Sequence, residues 1–460
     1  MLTSLHQLVS RATHCHYEVS HDGEGFVSSQ TFISRIYAQY EYLKTRREKR
    51  WLLFNDSPLD FAILFFALLH AEKTVVIPSN ILPGTLDQLS DAYDAIATDV
   101  ILSDSSVTNT GLSGLDAQLQ NIELYTSGST GKPKCVYKNL SQFESEIQVL
   151  ENLWGDEIEQ STVIGTVPHH HIYGLIFRIL WPLSASRTFD AVTCSNFGDI
   201  TNRIKIFSSV TMVSSPAQLS RLPDVVSISS SVSPPKVIFS SGGPLSALSA
   251  KHFHHVFGRA PVEVFGSTET GGIAWRCQCD NDAWTPLTGV EIHSEKSNQP
   301  NQALLYSPFL FDEEYVCMDD LIELLPNNTF HLCGRADKIV KVEQKRLSLT
   351  AMEQSLCEHA WVNNAAAIII SGRRECVAVA VVLEVEGNQV LLLEGRNKLI
   401  EQLRTHLSRY YETILLPRYW RFVEQLPMTE SGKVTQAGLY ALFDSIDTKS
   451  SGDGVGHVTA

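Results

Sequence analysis

The stretch RWLLFNDSPLDFAILFFALLHAEKTVVIP, residues 50–78, confines the fold more than any other part of this chain. RWLLFN and KTVVIP read as strands, and SPLDFAILFFALLHA between them reads as a helix. The apolar run FAILFFALLHA is too short to cross a bilayer, so it is expected as a buried helix. The rhythm returns further on. STVIGTVP reads as a strand, PKVIFSSGGPLS as strand, loop and helix, and VEVFGSTET as strand and loop. Strands alternating with helices predict an α/β architecture, with ligands at the loops that leave strand C-termini.

At 460 residues the chain exceeds one ordinary core. A hydrophobic fraction of 43% and a charged fraction of 19% are those of a globular protein. Near residue 335 the pattern changes. TFHLCGRADKIVKVEQKRLSL is rich in charge and reads as strand, tight turn, strand. AAAIII and VAVAVVLEV are β-branched runs, and GRNKLIEQLRTHLSRYY reads as a helix. The expected organisation is a large α/β domain with layered sheets and helices over residues 1–335 and a small, mobile α+β domain over 336–445. A Ser/Gly-rich tail at 446–460 is expected to be disordered. No internal repeat is present.

The net charge of −15 disfavours a nucleic-acid partner, which calls for a basic face. Nine cysteines are scattered along the chain, and the nearest pair, Cys277 and Cys279, lacks zinc-knuckle spacing. They are expected as reduced packing residues of a cytoplasmic protein. The opening MLTSLHQLVSRATHCH has neither a basic lead nor an unbroken apolar run. No signal peptide and no membrane segment are expected.

Four polar stretches could bear chemistry. LYTSGSTGKPKCVYK, residues 124–138, offers Thr126, Ser127, Gly128, Ser129, Thr130, Gly131, Lys132 and Lys134. Two residues rather than four separate its glycines, and Pro133 stands where a Walker loop needs a hydroxyl, so a P-loop NTPase is excluded. Glycines that admit backbone N–H groups, several hydroxyls and lysines still suit a polyphosphate, although a solvated Ser/Gly loop would look alike. VFGSTETGG, residues 264–272, sets Glu269 among hydroxyls; phosphate there would require a cation such as Mg²⁺. Alone, it reads more simply as a polar turn. LPMTESGKVTQAGL contains Lys433 and CMDDLIEL contains Asp319 and Asp320, each readable as a solvated surface charge. The three histidines of VPHHHIYGL, His169 to His171, sit on adjacent positions. Adjacent strand residues face opposite ways, which argues against a shared metal.

Taken in order, YTSGSTGKPK, FGSTET, GRADKIVKV and PMTESGK resemble the signature motifs of the adenylate-forming superfamily: acyl- and aryl-CoA synthetases, peptide-synthetase adenylation domains and luciferases. The resemblance extends over roughly residues 50–440. It implies a ligase that uses ATP and Mg²⁺ to turn a fatty or aryl carboxylic acid into an acyl-adenylate with release of pyrophosphate. Transfer to the thiol of CoA or of a phosphopantetheine arm would follow. It further implies that residues 126–134 hold the β- and γ-phosphates, that Thr268 meets the α-phosphate and that Glu269 holds Mg²⁺. Phe265, Gly266 and Ser267 belong to that second motif. Gly242, Gly243 and Pro244 of SSGGP would lie near adenine. Asp320 and Arg335 would take the ribose hydroxyls, His171 would lie near the acyl carboxylate, and GLIFRILWPL would line the acyl pocket. Lys433 would bridge the attacking carboxylate and the α-phosphate. Asp337 would be the hinge about which the small domain turns between two half-reactions.

Departures from the motifs bear on the second step. Gln344 occupies the place of a glycine that normally lets the pantetheine arm pass, and Phe265 and Ser267 are substitutions in the second motif. Lys338, Lys341, Lys345, Arg346, Arg373 and Arg374 make the start of the small domain basic, which suits CoA phosphates or an acidic acyl carrier protein acting in trans; a solvated face explains it equally. Two other readings stay open: a carrier-protein ligase that does not use CoA, and a nucleotide-binding scaffold without catalysis. The retained Glu269, Asp320, Asp337 and Lys433 argue against the scaffold.

Overall fold

The computed structural model describes residues 2–11, 16–98, 111–127, 133–219, 233–243, 245, 247–293, 301–310, 314–335, 339–343, 345–370, 375–427 and 436–443. The chain divides into two compact units, the larger on residues 1–81, 88–126 and 134–337, the smaller built chiefly on residues from 338 onward.

In the larger unit the opening stretch folds as its pattern predicts. Arg50–Leu53 and Thr74–Ile77 are parallel strands, and Pro58–His70 is the helix between them. Ser57 caps that helix by accepting the Asp60 N–H at 3.2 Å, and Pro58 occupies its first turn, where a missing N–H costs nothing. From Phe61 to Leu69 every side chain is buried, because the helix lies within the core rather than on a surface. Among the described residues a five-stranded sheet runs in the order Ala95–Ala97, Arg50–Leu53, Thr74–Ile77, Ile122–Ser127, Pro133–Lys138.

A thirteen-stranded sheet of described residues forms the second layer. Its centre is a run of parallel strands in the order Val262–Ser267, Ile238–Ser240, Val210–Ser214, Thr162–Gly165 and Phe189–Thr193. On one side, antiparallel strands continue it through Gly271–Cys277, Asn281–Pro286, Phe330–Arg335 and Val316–Leu324. Helices Pro58–His70 and Leu140–Ile158 share one continuous apolar core with strands of both sheets.

The smaller unit has a hairpin, Ile339–Val342 with Lys345–Ser348, and a three-stranded sheet of Val362–Ile370, Cys376–Leu383 and Tyr419–Phe422. Strand Cys376–Leu383 alternates between two cores: Val377, Val379 and Val381 enter one, Ala378 and Ala380 the other. Leu399, Leu403 and Leu407 of helix Arg396–Leu407 bury a four-residue repeat against the valine face. The fold is thus a large α/β domain of layered sheets and helices joined to a small α+β domain. Among the described residues no helix is long and apolar enough to cross a membrane.

Candidate active site

Parallel strands place the loops that follow them on one edge, and three of the candidate stretches follow such strand ends here. In spatial order, four neighbouring strands end at Ser267, Ser240, Ser214 and Gly165. The segments that follow three of them hold Thr268 and Glu269, Gly242 and Gly243, and His169 to His171. One edge of one sheet therefore collects stretches far apart in sequence. At the second of these, Gly242 adopts φ +95°, a conformation that suits glycine. Pro244 lies outside the described residues.

The turn after Val262–Ser267 is tied to itself. The Thr270 N–H donates to Ser267 Oγ at 3.2 Å, the Ser267 N–H donates to Thr270 Oγ1 at 3.2 Å, and the two hydroxyls meet at 3.0 Å. The Ser267 and Thr270 hydroxyls thus close the turn and leave Thr268 and Glu269 at its apex. Gly266 and Gly271 permit this closeness. A Cβ on Gly266 would fall 2.2 Å from the Gly271 carbonyl oxygen, and Gly271 itself has φ +71°. The Phe265 ring is buried and packs 5.6 Å from Trp284 and 6.2 Å from Phe330, centroid to centroid.

Lys134 of strand Pro133–Lys138 meets the apex. Its Nζ donates to Glu269 Oε1 at 2.9 Å, with Lys134 60% and Glu269 26% exposed. The same strand sends Lys138 beneath the turn, where its buried Nζ donates to the Glu269 carbonyl oxygen at 2.8 Å and to the Phe309 carbonyl oxygen at 3.1 Å. Burial draws the Lys138 pKa below the lysine range, and the charges of Glu146 and Glu269 oppose that fall. Burial likewise raises the Glu146 carboxyl above its range, against the Gly272 N–H that donates to it at 3.0 Å.

The phosphate-loop candidates Thr126 and Ser127 end strand Ile122–Ser127. Gly128, Ser129, Thr130, Gly131 and Lys132 lie outside the described residues. The loop's stem is held at its base by buried Glu123, which accepts from Arg50 Nη2 at 2.6 Å and from the Tyr125 hydroxyl at 3.3 Å. Burial still keeps this carboxyl above its ordinary range, although Arg50 pulls it down.

Asp320 and Arg335, fifteen residues apart in the sequence, are direct cross-strand partners in the pairing of Val316–Leu324 with Phe330–Arg335.

The histidine run does not act as one cluster. His169 is buried, its Nε2 bonded to the Asn55 carbonyl at 2.8 Å, and its ring lies 5.0 Å from that of Phe61. Burial lowers its pKa to about 3, so the ring is neutral and its Nε2–H is the donor. His170 lies against Phe54 at 4.9 Å and His171 at 4.6 Å, and His171 stands just before the helical segment Ile172–Gly174. That helix can approach its own loop because Gly174 has no side chain; a Cβ there would lie 1.9 Å from the Pro168 carbonyl oxygen. The next segment, Leu175–Leu180, forms a π-type turn with all six residues buried. Among them is Arg178, whose guanidinium donates to the Val167 and Val192 carbonyls and the Thr193 hydroxyl.

Lys433, Asp337, Gln344, Lys338, Arg373, Arg374 and the 446–460 tail lie outside the described residues. Of the basic stretch that remains, Lys345 is paired with Glu412, and Lys341 stands opposite Arg346 in the hairpin. Among the described residues no group of three or more His, Cys, Asp or Glu is placed to hold a metal by itself. A single carboxylate can still hold Mg²⁺ that a nucleotide brings with it. The half-buried Glu269 carboxylate and the exposed Lys134 ammonium beside one another fit a Mg²⁺–polyphosphate, one supplying an anionic oxygen and the other a cation.

Lys138, Glu146 and Arg178 are absent from the sequence-predicted set. The signal for the first two was a charge at an apolar register position. Lys138 shares the strand face of buried Val136, and Glu146 falls among Phe143, Ile147 and Leu150 on the buried face of its helix.

Comparison with known proteins identifies the family. Residues 122–296 match the family model of AMP-binding enzymes, and residues 351–433 match that of the AMP-binding enzyme C-terminal domain. A 4-coumarate–CoA ligase of Cereibacter sphaeroides is 27% identical over 318 residues, covering 67% of this chain and 69% of the ligase. A malformin synthetase of Aspergillus luchuensis is 28% identical over 145 residues, which is 28% of this chain and 3% of that much longer protein. The structure of an amide bond synthetase from Marinactinospora thermotolerans superposes with a TM-score of 0.80 at 16% identity, over 95% of this chain and 99% of the other. With both domain matches in place and in order, the chain belongs to the adenylate-forming superfamily of AMP-binding enzymes.

Proposed function

We propose that this protein activates a fatty or aryl carboxylic acid with ATP, releasing pyrophosphate, and passes the acyl group from the adenylate to the thiol of CoA. The observation that carries the reading is the meeting of Lys134 with the apex carboxylate of Glu269 on the sheet edge that also presents Gly242, Gly243 and the His171 loop. The aryl half of the substrate range draws support from the 4-coumarate–CoA ligase relative.

The chemistry sets a carboxylate against an anionic phosphorus centre, so rate must come from positioning and charge neutralisation. When bound, Mg²⁺ supplies positive charge to the phosphate oxygens. Glu269 would hold that ion, and Lys134 would leave Glu269 for the β- and γ-phosphates alongside Thr126 and the 127–132 loop. Thr268 would donate to the α-phosphate. Asp320, with Arg335 opposite, would accept from the ribose hydroxyls, which fixes the nucleotide along the sheet edge. Gly242 and Gly243 leave room for the adenine. His171 would meet the acid's carboxylate, and Lys433 would bridge it to the α-phosphate as charge develops. A turn of the residue 336–445 domain about Asp337 would then admit the thiol.

Pyrophosphate exchange into ATP, run with fatty, benzoic, cinnamic and amino acids, tests the first step. Exchange with one acid class, lost in Lys433→Ala, is the expected result. Product formation with CoA but not with a holo carrier protein would fix the acceptor as proposed, and the reverse would assign a carrier-protein ligase. ATP binding without exchange for any acid would overturn the reading in favour of a scaffold.

A further inference from the structure

The turn that carries Thr268 and Glu269 has a floor as well as an apex. Two charged side chains make that floor, and neither has a role in the chemistry above. Lys138 Nζ reaches the Glu269 carbonyl oxygen at 2.8 Å and the Phe309 carbonyl oxygen at 3.1 Å. Glu146, from helix Leu140–Ile158, accepts the Gly272 N–H at 3.0 Å. Its other oxygen would lie 2.5 Å from a Cβ on Gly271. Gln142, one helical turn earlier, donates to the same Phe309 carbonyl at 2.9 Å, and the Ser307 hydroxyl donates to the Thr270 carbonyl at 3.2 Å. The Glu269 and Thr270 carbonyls and the Gly272 N–H are thereby held from below.

Lys134 and Lys138 lie on one strand, four residues apart, so they share a face. One grips the Glu269 carboxylate and the other its backbone carbonyl. A shift of the phosphate-loop stem along its own axis would move both ends of Glu269 together. A solvated or purely apolar floor would hold the turn no less compactly but would not tie it to that strand. Burying two charges here is costly unless they are satisfied, and each is satisfied by backbone of the 269–272 turn or of its neighbour Phe309.

We infer that Lys138 and Glu146 are positioning residues that fix the Glu269 carboxylate in register with the phosphate-loop strand, and so set how tightly the protein takes Mg²⁺ with its nucleotide. The inference rests on the nucleotide-binding part of the function proposed above. Outer-shell partners of this kind typically govern about 10- to 100-fold in metal affinity.

The test is the ratio of ATP dissociation constants in EDTA and in saturating Mg²⁺, measured by calorimetry for the full chain. Wild type, Lys138→Met and Glu146→Gln are compared, with melting temperature recorded for each. Wild type is expected to bind ATP more tightly with Mg²⁺. Lys138→Met should cut that gain by about tenfold while leaving the affinity in EDTA within about twofold. Glu146→Gln keeps an acceptor for Gly272 and removes only the charge, so a smaller loss of the same kind is expected, with the fold intact. A lowered melting temperature with the Mg²⁺ gain unchanged in both variants would overturn the inference and leave a merely structural pair. So would a wild type whose ATP affinity ignores Mg²⁺, or two variants that both fail to fold. Pyrophosphate exchange is read separately: its absence for every acid in the wild type sinks the adenylation reading, while a Mg²⁺ gain lost in the variants would still uphold the pair.

Discussion

The apex and the floor of the 268–272 turn are both held by lysines of one strand, yet they are different kinds of place. At the apex, Lys134 is exposed and Glu269 half-buried, and their pairing can be exchanged for a ligand at little cost. At the floor, Lys138 and Glu146 are sealed, and no ligand reaches them. The apex is built for an interaction made and broken in each turnover; the floor is built for one made once, on folding. The comparison teaches that residue type alone does not separate chemistry from architecture, since the same two residue types serve both. Exposure and partner do separate them.

The floor should give the largest stability effect. Lys138→Met takes from the Glu269 carbonyl its lysine donor, leaves the Phe309 carbonyl with Gln142 alone and leaves Glu146 without the nearby cation, and a cost of about 3–5 kcal/mol is expected in urea unfolding. A loss under about 1 kcal/mol would mean that water replaces the lysine and that the floor is not sealed. The apex should behave in the opposite way. Glu269→Gln is expected to lower pyrophosphate exchange by about a hundredfold or more while unfolding at the wild-type urea midpoint. If Glu269→Gln proves destabilising and remains active, the apex is structural and the distinction fails.

This distinction also governs what could be read from the sequence. The strand-helix-strand stretch at residues 50–78 was legible because buried strands and a buried helix differ in length and periodicity, and both are local. The apex was legible because its residues fall in motifs whose spacing is local too. Cross-strand pairing of Asp320 with Arg335 was half legible: each was singled out, but their register depends on a bulge between Leu321 and Ile322 that no short motif records. Lys138 and Glu146 escape a sequence reading because their partners are backbone atoms far along the chain. Lys138 bonds across 131 and 171 residues, and Arg178 sits inside the apolar run LIFRIL, where it looks like an interruption rather than a brace. In the basic stretch near residue 345, a count of charges sees Lys345 but not Glu412, the partner that matches it from 67 residues away.

The histidine loop repeats the contrast in a milder form, with His169 sealed and His171 at the head of its helix. Because burial takes the His169 pKa to about 3, the unfolded chain binds a proton near pH 6.5 that the folded chain does not. Stability attributable to this group is therefore complete above pH 6.5 and falls as the pH drops from there toward 3, the unfolded state holding more protons across that window. Lowering the pH from 7.5 to 5.5 should cost the wild type about 1.4 kcal/mol through His169. His169→Gln can still donate to the Asn55 carbonyl but cannot titrate, so its urea midpoint should move less over the same interval by that amount. Parallel pH profiles for the two proteins would show that His169 is solvated after all.

The smallest effect is expected where a charge looks functional and is already neutralised. Lys345 and Glu412 are partly exposed and paired, so beyond about a Debye length, roughly 8 Å at physiological salt, their fields cancel. Lys345→Ala should alter stability by about 0.5 kcal/mol and leave the KM for CoA within about twofold, since removing the lysine frees a carboxylate rather than opening a cationic site. Glu412→Gln is the sharper probe. It unmasks Lys345, and if any part of the small domain's hairpin meets the CoA phosphates, the KM for CoA should fall in this variant at low ionic strength and return to the wild-type value as salt is added. A Lys345→Ala variant that loses CoA use outright would instead place this lysine with the apex group, as a contact made during turnover despite its standing partner.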